Sequence, residues 1–170
     1  MLALIEAGRP DVQPIREVKM KILLAIDGSS FSGAAVEEVS KRTWPEGSEV
    51  RIVSVIEPPF FPTLETWVPP EQYIEALEKA AEEQAQTIIN KAAERIQRAQ
   101  GESLRVTQEI LTGPPKHVIL DDAESWHADL IVVGSHGYRG ITRLWLGSVS
   151  QAIASHAKCS VEIVRAPVAA

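Results

Sequence analysis

The chain has 170 residues, 45% of them apolar and 24% charged, with a formal net charge of −6. That length suits one domain with a substantial core, and the acidic balance argues against nucleic acid, whose phosphates reward a basic face. No apolar run nears the roughly 18 residues of a membrane-spanning helix, and the single cysteine, Cys159, leaves no internal disulfide to form, as in a reducing cytoplasm.

The opening Met1-Leu2-Ala3-Leu4-Ile5 stops at Glu6 with no basic residue ahead of it, so it does not read as a secretory signal. Residues 1–20 read as an N-terminal extension, with Pro10 and Pro14 interrupting any helix, ahead of a domain over 21–170. One reading is a loose tail before Met20. The expectation is a docked arm that lays Leu2, Leu4 and Ile5 on a neighbouring surface or subunit.

Lys21 to Ile26 is a continuous apolar strand that ends at Asp27-Gly28-Ser29-Ser30. A carboxylate at the carboxyl end of the first strand of an open α/β sheet lies where such folds bind ligands. The bland alternative makes Asp27 a turn residue or a helix cap. Phe31 to Arg42 reads as a helix closed by Pro45-Glu46-Gly47, and Val50 to Ile56 as a second strand rich in β-branched residues. Pro58 to Pro70 carries five prolines, which forbid regular structure, yet holds Phe60, Phe61, Leu64 and Trp67. It reads as a loop folded over its own core, with a lid or a partner surface as the functional alternative.

Glu71 to Gln100 lacks proline and glycine, and Ile74, Leu77, Ala81, Ile88, Ala92 and Ile96 recur at helical spacing. One long amphipathic helix follows, ended by Gly101. Leu104 to Leu111 alternates as a third strand with Leu104, Val106 and Ile110 inward, and Gly113-Pro114-Pro115 turns into a helix from Lys116 to Trp126. Asp121 and Asp122 on that helix read as surface charge. Ala128 to Val133 is a fourth strand, the segment from Val149 a fourth helix, and Ser160 to Arg165 a fifth strand. Strands alternating with helices predict an α/β fold: a doubly wound, open, five-stranded parallel sheet of order 3-2-1-4-5 with helices on both faces.

Between the fourth strand and fourth helix runs GSHGYRGITRLWLGSVS, Gly134 to Ser150. Its Gly134, Gly137 and Gly147 give the spacing G-x2-G-x9-G, followed by Ser148. Bare glycines let backbone N–H groups approach a phosphate, and a helix amino end adds unpaired donors and a favourable dipole. Ser148 can cap the helix or donate its hydroxyl to a phosphate oxygen. Arg139 adds a cation to the loop, or faces solvent. In the predicted order the first and fourth strands flank the switch point, so Asp27 and the glycine loop converge on one crevice. Neither a Walker A string nor an early G-x-G-x-x-G is present.

On these residues, over about 20–166, the chain resembles the universal stress protein family, and the full G-x2-G-x9-G-S pattern resembles its nucleotide-binding branch. The resemblance implies an adenine nucleotide alpha-hydrolase-like fold that binds ATP, with Mg2+ or Mn2+ as a possible companion. It places Asp27 beside the nucleoside and the backbone of Val55 at the adenine edge. Gly134 and Gly137 would approach the ribose and phosphates, while Gly147, Ser148, Val149 and Ser150 would hold the phosphate tail. It further implies a homodimer through the strand Ser160 to Arg165, which also suits the physics of an uncovered edge.

Catalytic equipment is thin. His117, His127, His136 and His156 lack metal-ligand spacing, no Ser–His–Asp set stands out, and no catalytic or metal-binding residue is assigned. The expectation is a cytoplasmic nucleotide-dependent sensor or regulator in a stress response. Two alternatives stand beside it. One is a slow Mg2+- or Mn2+-dependent ATPase using the same pocket; the other is a protein-interaction module that binds no nucleotide and acts through the Phe60–Trp67 loop.

Overall fold

The computed structural model describes residues 19–58, 70–136 and 146–166. The elements in chain order are β1 (Lys21–Ala25), α1 (Ser30–Lys41), β2 (Ser48–Ile56) and α2 (Glu71–Gln100), then a short 3-10 turn. After them come β3 (Leu104–Thr112), α3 (Pro115–Ser125), β4 (Leu130–Gly134), α4 (Ser148–His156) and β5 (Ser160–Val164). All strands pair in parallel in the order β3-β2-β1-β4-β5, so the expected topology holds. The N-terminal extension up to residue 18, the segment 59–69, and Gly137 and Arg139 lie outside the described residues.

β1 is apolar on both sides because it is covered on both sides. Ile22 and Leu24 face α1 and α2, where Val39, Ile89 and Ile96 complete one core. Leu23 and Ala25 face the opposite way, toward Ile119 of α3 and Ile153 of α4. The helix pairs thus leave β1 and β4 on different faces, which opens a crevice at the carboxyl ends of those two strands.

Two ion pairs fasten the periphery. Arg42, just after α1, forks onto both carboxylate oxygens of Glu162 on β5, each at 2.7 Å. Arg51 of β2 holds Asp122 at 2.8 Å while its guanidinium lies 4.5 Å from the Trp126 ring centroid. Asp122 is therefore not the surface charge its place on a helix suggested: its side chain is only 13% exposed.

α2 departs from the simple picture of a helix lying on a sheet. Its buried residues begin at Ala85 and run through Ile89, Ala92, Ala93 and Ile96. Residues 71–84, about 21 Å of helix, are mostly exposed, including Tyr73 at 51% and Leu77 at 37%. No helix among the described residues is long and apolar enough to cross a membrane.

Candidate functional site

A pocket of about 620 Å3 opens at the carboxyl ends of β1, β2 and β4. Its size falls within the usual range for a small-molecule site. Asp27, Val55, Gly134, Gly147, Ser148, Val149 and Ser150 all line it, so seven residues scattered over the sequence meet in one place.

The loop after β1 is set by Gly28, whose φ of +80° suits glycine. A side chain there would also strike Ile88 of α2 at 2.8 Å. Asp27 accepts the Ser29 N–H at 3.0 Å, and Ser29 in turn caps α1 by accepting the Ser32 N–H at 3.2 Å. Asp27 is thus a turn-forming residue and a pocket residue at once. Its carboxylate is exposed at the pocket wall.

Gly134 has a reason of its own, one the spacing pattern did not reveal. A Cβ on it would stand 2.6 Å from the Phe31 carbonyl carbon and 2.8 Å from both Phe31 O and Ser32 N. The bare Cα lets the end of β4 pass against the backbone of α1's first turn. Its carbonyl accepts the buried Ser150 Oγ–H at 2.7 Å, which fastens α4 to β4. Ser150→Ala is expected to cost about 1–2 kcal/mol, because the Gly134 carbonyl loses its buried donor. A fall in urea midpoint at unchanged slope would register that loss, and an unmoved midpoint would contradict it.

The capping role considered for Ser148 passes to Gly147. Gly147 is the N-cap of α4, with φ −60° and ψ 151°, and Ser148 is the first helical residue with its side chain exposed. The Gly147 N–H donates to Ser135 O at 2.8 Å, and Gln151 N–H is the first to close onto the helix, at Gly147 O, 2.9 Å. The N–H groups of Ser148, Val149 and Ser150 therefore precede the helical ladder, at the amino end that lines the pocket. That end suits an anion.

Glu57, just past β2, and Lys116, in the first turn of α3, line the pocket as well. Neither emerged from the motif, though both follow the carboxyl end of a strand, the position that marks ligand sites in such sheets. His136 is the one histidine of the lining. Its ring packs 5.0 Å from Phe31, its Nδ1 lies 3.2 Å from Ser135 Oγ, and its Nε2 is buried. Cys159 precedes β5 at the opposite end of the sheet, away from the pocket, and partial burial pushes its thiol above the usual range.

The family model described as "Universal stress protein family" matches residues 20–165. Universal stress protein MJ0531 of Methanocaldococcus jannaschii is 30% identical over 147 residues, which span 86% of this chain and 82% of that relative. Universal stress protein A homolog 2 of Coxiella burnetii is 52% identical over a shorter stretch of 58 residues, 34% of this chain and 39% of the relative. Among solved structures, hypothetical protein MJ0577 superposes with a TM-score of 0.74 at 24% identity, over 88% of this chain and 98% of that one. A universal stress protein family protein from Arabidopsis thaliana, solved with AMP bound, gives 0.61 at 16% identity, over 88% and 93% of the two chains. At such identities the two solved structures speak to the fold.

Proposed function

The chain belongs to the universal stress protein family, and on that premise we propose that it is an adenine-nucleotide sensor that holds ATP at the carboxyl ends of β1, β2 and β4. The observation that carries this reading is the convergence of Asp27, Val55, Gly134 and the amino end of α4 on one open pocket. The AMP bound to the Arabidopsis relative supports the adenine class.

Each wall has a task in this reading. The apolar side chains of Val53, Val55 and Ile119 take the base, with the Val55 backbone at its edge. Asp27 meets the ribose. The N–H groups of Ser148, Val149 and Ser150 take the phosphates, helped by the exposed Ser148 hydroxyl. Among the described residues the pocket lining carries one ammonium, Lys116, against the carboxylates of Asp27 and Glu57. Charge neutralisation of a triphosphate is then shared by Lys116, the backbone dipoles, Arg139 of the glycine loop and a divalent cation such as Mg2+ or Mn2+ carried in with the nucleotide. The pocket stands open among the described residues, whose side chains do not fill it, and that weighs against a module that binds no small molecule.

In the rest of this reading the chain works in the cytoplasm as a homodimer, pairing the edge strand Ser160–Arg165 across a two-fold axis. Residues 1–20 form an extension ahead of the nucleotide-binding domain. Occupancy of the pocket changes a surface that other proteins read. The test is the nucleotide content of protein purified without added ligand, followed by timed incubation with Mg2+. Intact ATP persisting for hours is the expected result. Conversion to ADP or AMP at a rate that falls in Gly147→Val would replace the sensor with a slow ATPase. An empty extract together with no heat on titration with MgATP would overturn nucleotide binding.

A further inference from the structure

The exposed half of α2 presents an apolar face that nothing in the nucleotide pocket requires. Ile74, Leu77 and Ala81 continue, at steps of three and four, the stripe that Ala85, Ile89 and Ile96 bury against the sheet. The lower half of the stripe is core. The upper half is not, with Leu77 37% and the neighbouring Tyr73 51% exposed and with Ile74 and Ala81 half-buried.

Glu71, Glu75, Glu78 and Glu82 recur at steps of four, three and four, so they form one row beside Ile74, Leu77 and Ala81, in line with Ala85 and Ile89 further along the helix. None of the four makes an ion pair with another described residue. Further along, the same helix does pair its charges: Glu94 with Arg98, and Arg95 with Glu37. Over residues 71–84 five glutamates, with Glu83 the fifth, stand against one lysine, Lys79. A second copy of this helix would bring five carboxylates against five, and an anionic lipid surface or a nucleic acid would be repelled as well. A cationic partner is the one the charges fit.

We propose that residues 71–84 of α2 are a docking surface for a basic amphipathic helix of another protein, which lays its apolar face on Ile74, Leu77 and Ala81 and its cations on the glutamate row. Helix-on-helix docking of this kind reads anchors at three- and four-residue steps, and opposed charge rows set orientation and speed of encounter. The surface lies on the amino-terminal side of Ile88, the residue that a Cβ on Gly28 would strike, so it continues from the part of α2 that packs against the loop after β1.

The test uses the full chain and a fluorescein-labelled peptide of about 18 residues, with leucines at helical spacing and lysines elsewhere, followed by anisotropy. Binding in the micromolar range is expected, weakening as salt is raised. Two variants should each lose at least tenfold in affinity while keeping a wild-type circular dichroism spectrum. They are Leu77→Asp and the triple reversal Glu75→Lys, Glu78→Lys, Glu82→Lys. Leu77→Asp is the sharper of the two, since it adds negative charge, and mere electrostatic adherence would grow stronger. Equal binding to Leu77→Asp and wild type, or equal binding of a peptide with glutamate in place of lysine, would overturn the proposal. So would sedimentation showing that wild type self-associates through this face and Leu77→Asp does not. Nucleotide affinity is measured separately, so the two readings can fail independently.

Discussion

Gly134→Ala is expected to be among the most destabilising single-methyl additions to this protein. The added carbon would sit 2.6 Å from the Phe31 carbonyl carbon and 2.8 Å from Ser32 N, and its three nearest neighbours are backbone atoms of α1. A flexible side chain could swing away from such an intruder; the first turn of a helix cannot. Relief requires β4 and α1 to separate, which loosens Val132 and Val39 in one core and moves the carbonyl that Ser150 holds. Overpacking of this kind costs about 3 kcal/mol. For a domain of this size that corresponds to a fall of about 6–12 °C in melting temperature. A variant that melts with the wild type would mean that the strand and helix have slack that the geometry does not suggest.

Gly147→Val is expected to do the reverse. At φ −60° and ψ 151° the backbone of Gly147 is in the extended region that valine adopts readily, and its N–H bond to Ser135 O survives the change. The loss of stability should be about 1 kcal/mol or less. Its position at the mouth of the α4 amino end is where a phosphate would approach, and two methyl groups there would occupy that space. Nucleotide affinity should fall at least about 100-fold, or ~2.7 kcal/mol. Calorimetric titration with MgATP, beside thermal melts without ligand, separates the two outcomes. Together the variants should dissociate fold from binding: Gly134→Ala melts early, and Gly147→Val melts normally but does not bind. Unchanged affinity in Gly147→Val would move the phosphate site away from α4.

The fold was legible because its signals are coarse and repeated. Apolar runs such as Ile22 to Ile26 and Leu130 to Val133 need cover on both faces, and helical crossovers supply it. The convergence at the candidate site was legible for a topological reason, since a parallel sheet of this order brings the ends of β1 and β4 together. What escaped depends on which atoms meet across the fold. Gly134 belongs to a spacing pattern, yet its closest demand comes from Phe31, more than a hundred positions away. Asp122 sits on a helix beside Asp121 and nothing local separates them; Arg51 on a distant strand does. Periodicity identified α2 as amphipathic but could not say where the sheet beneath it ends, so Leu77 and Ile96 looked alike. Glu57 and Lys116 carry no motif, and only the three-dimensional position of their strand ends marks them.

The central place of β1 also governs the order in which the protein can be made. Its first neighbour, β2, follows within the same stretch of chain, but its second is β4, and Lys21 meets Asp129 only across a separation of 108 residues. On the ribosome β1, α1, β2, α2 and β3 emerge first and can pack as a half-sheet, with one long edge of β1 bare until Leu130–Gly134 arrive. The pocket straddles that seam, with Asp27 and Val55 on the early side and Gly147 to Ser150 on the late one. It closes only when the last third of the chain has docked, so a ligand that fills it stabilises finished molecules and not nascent ones.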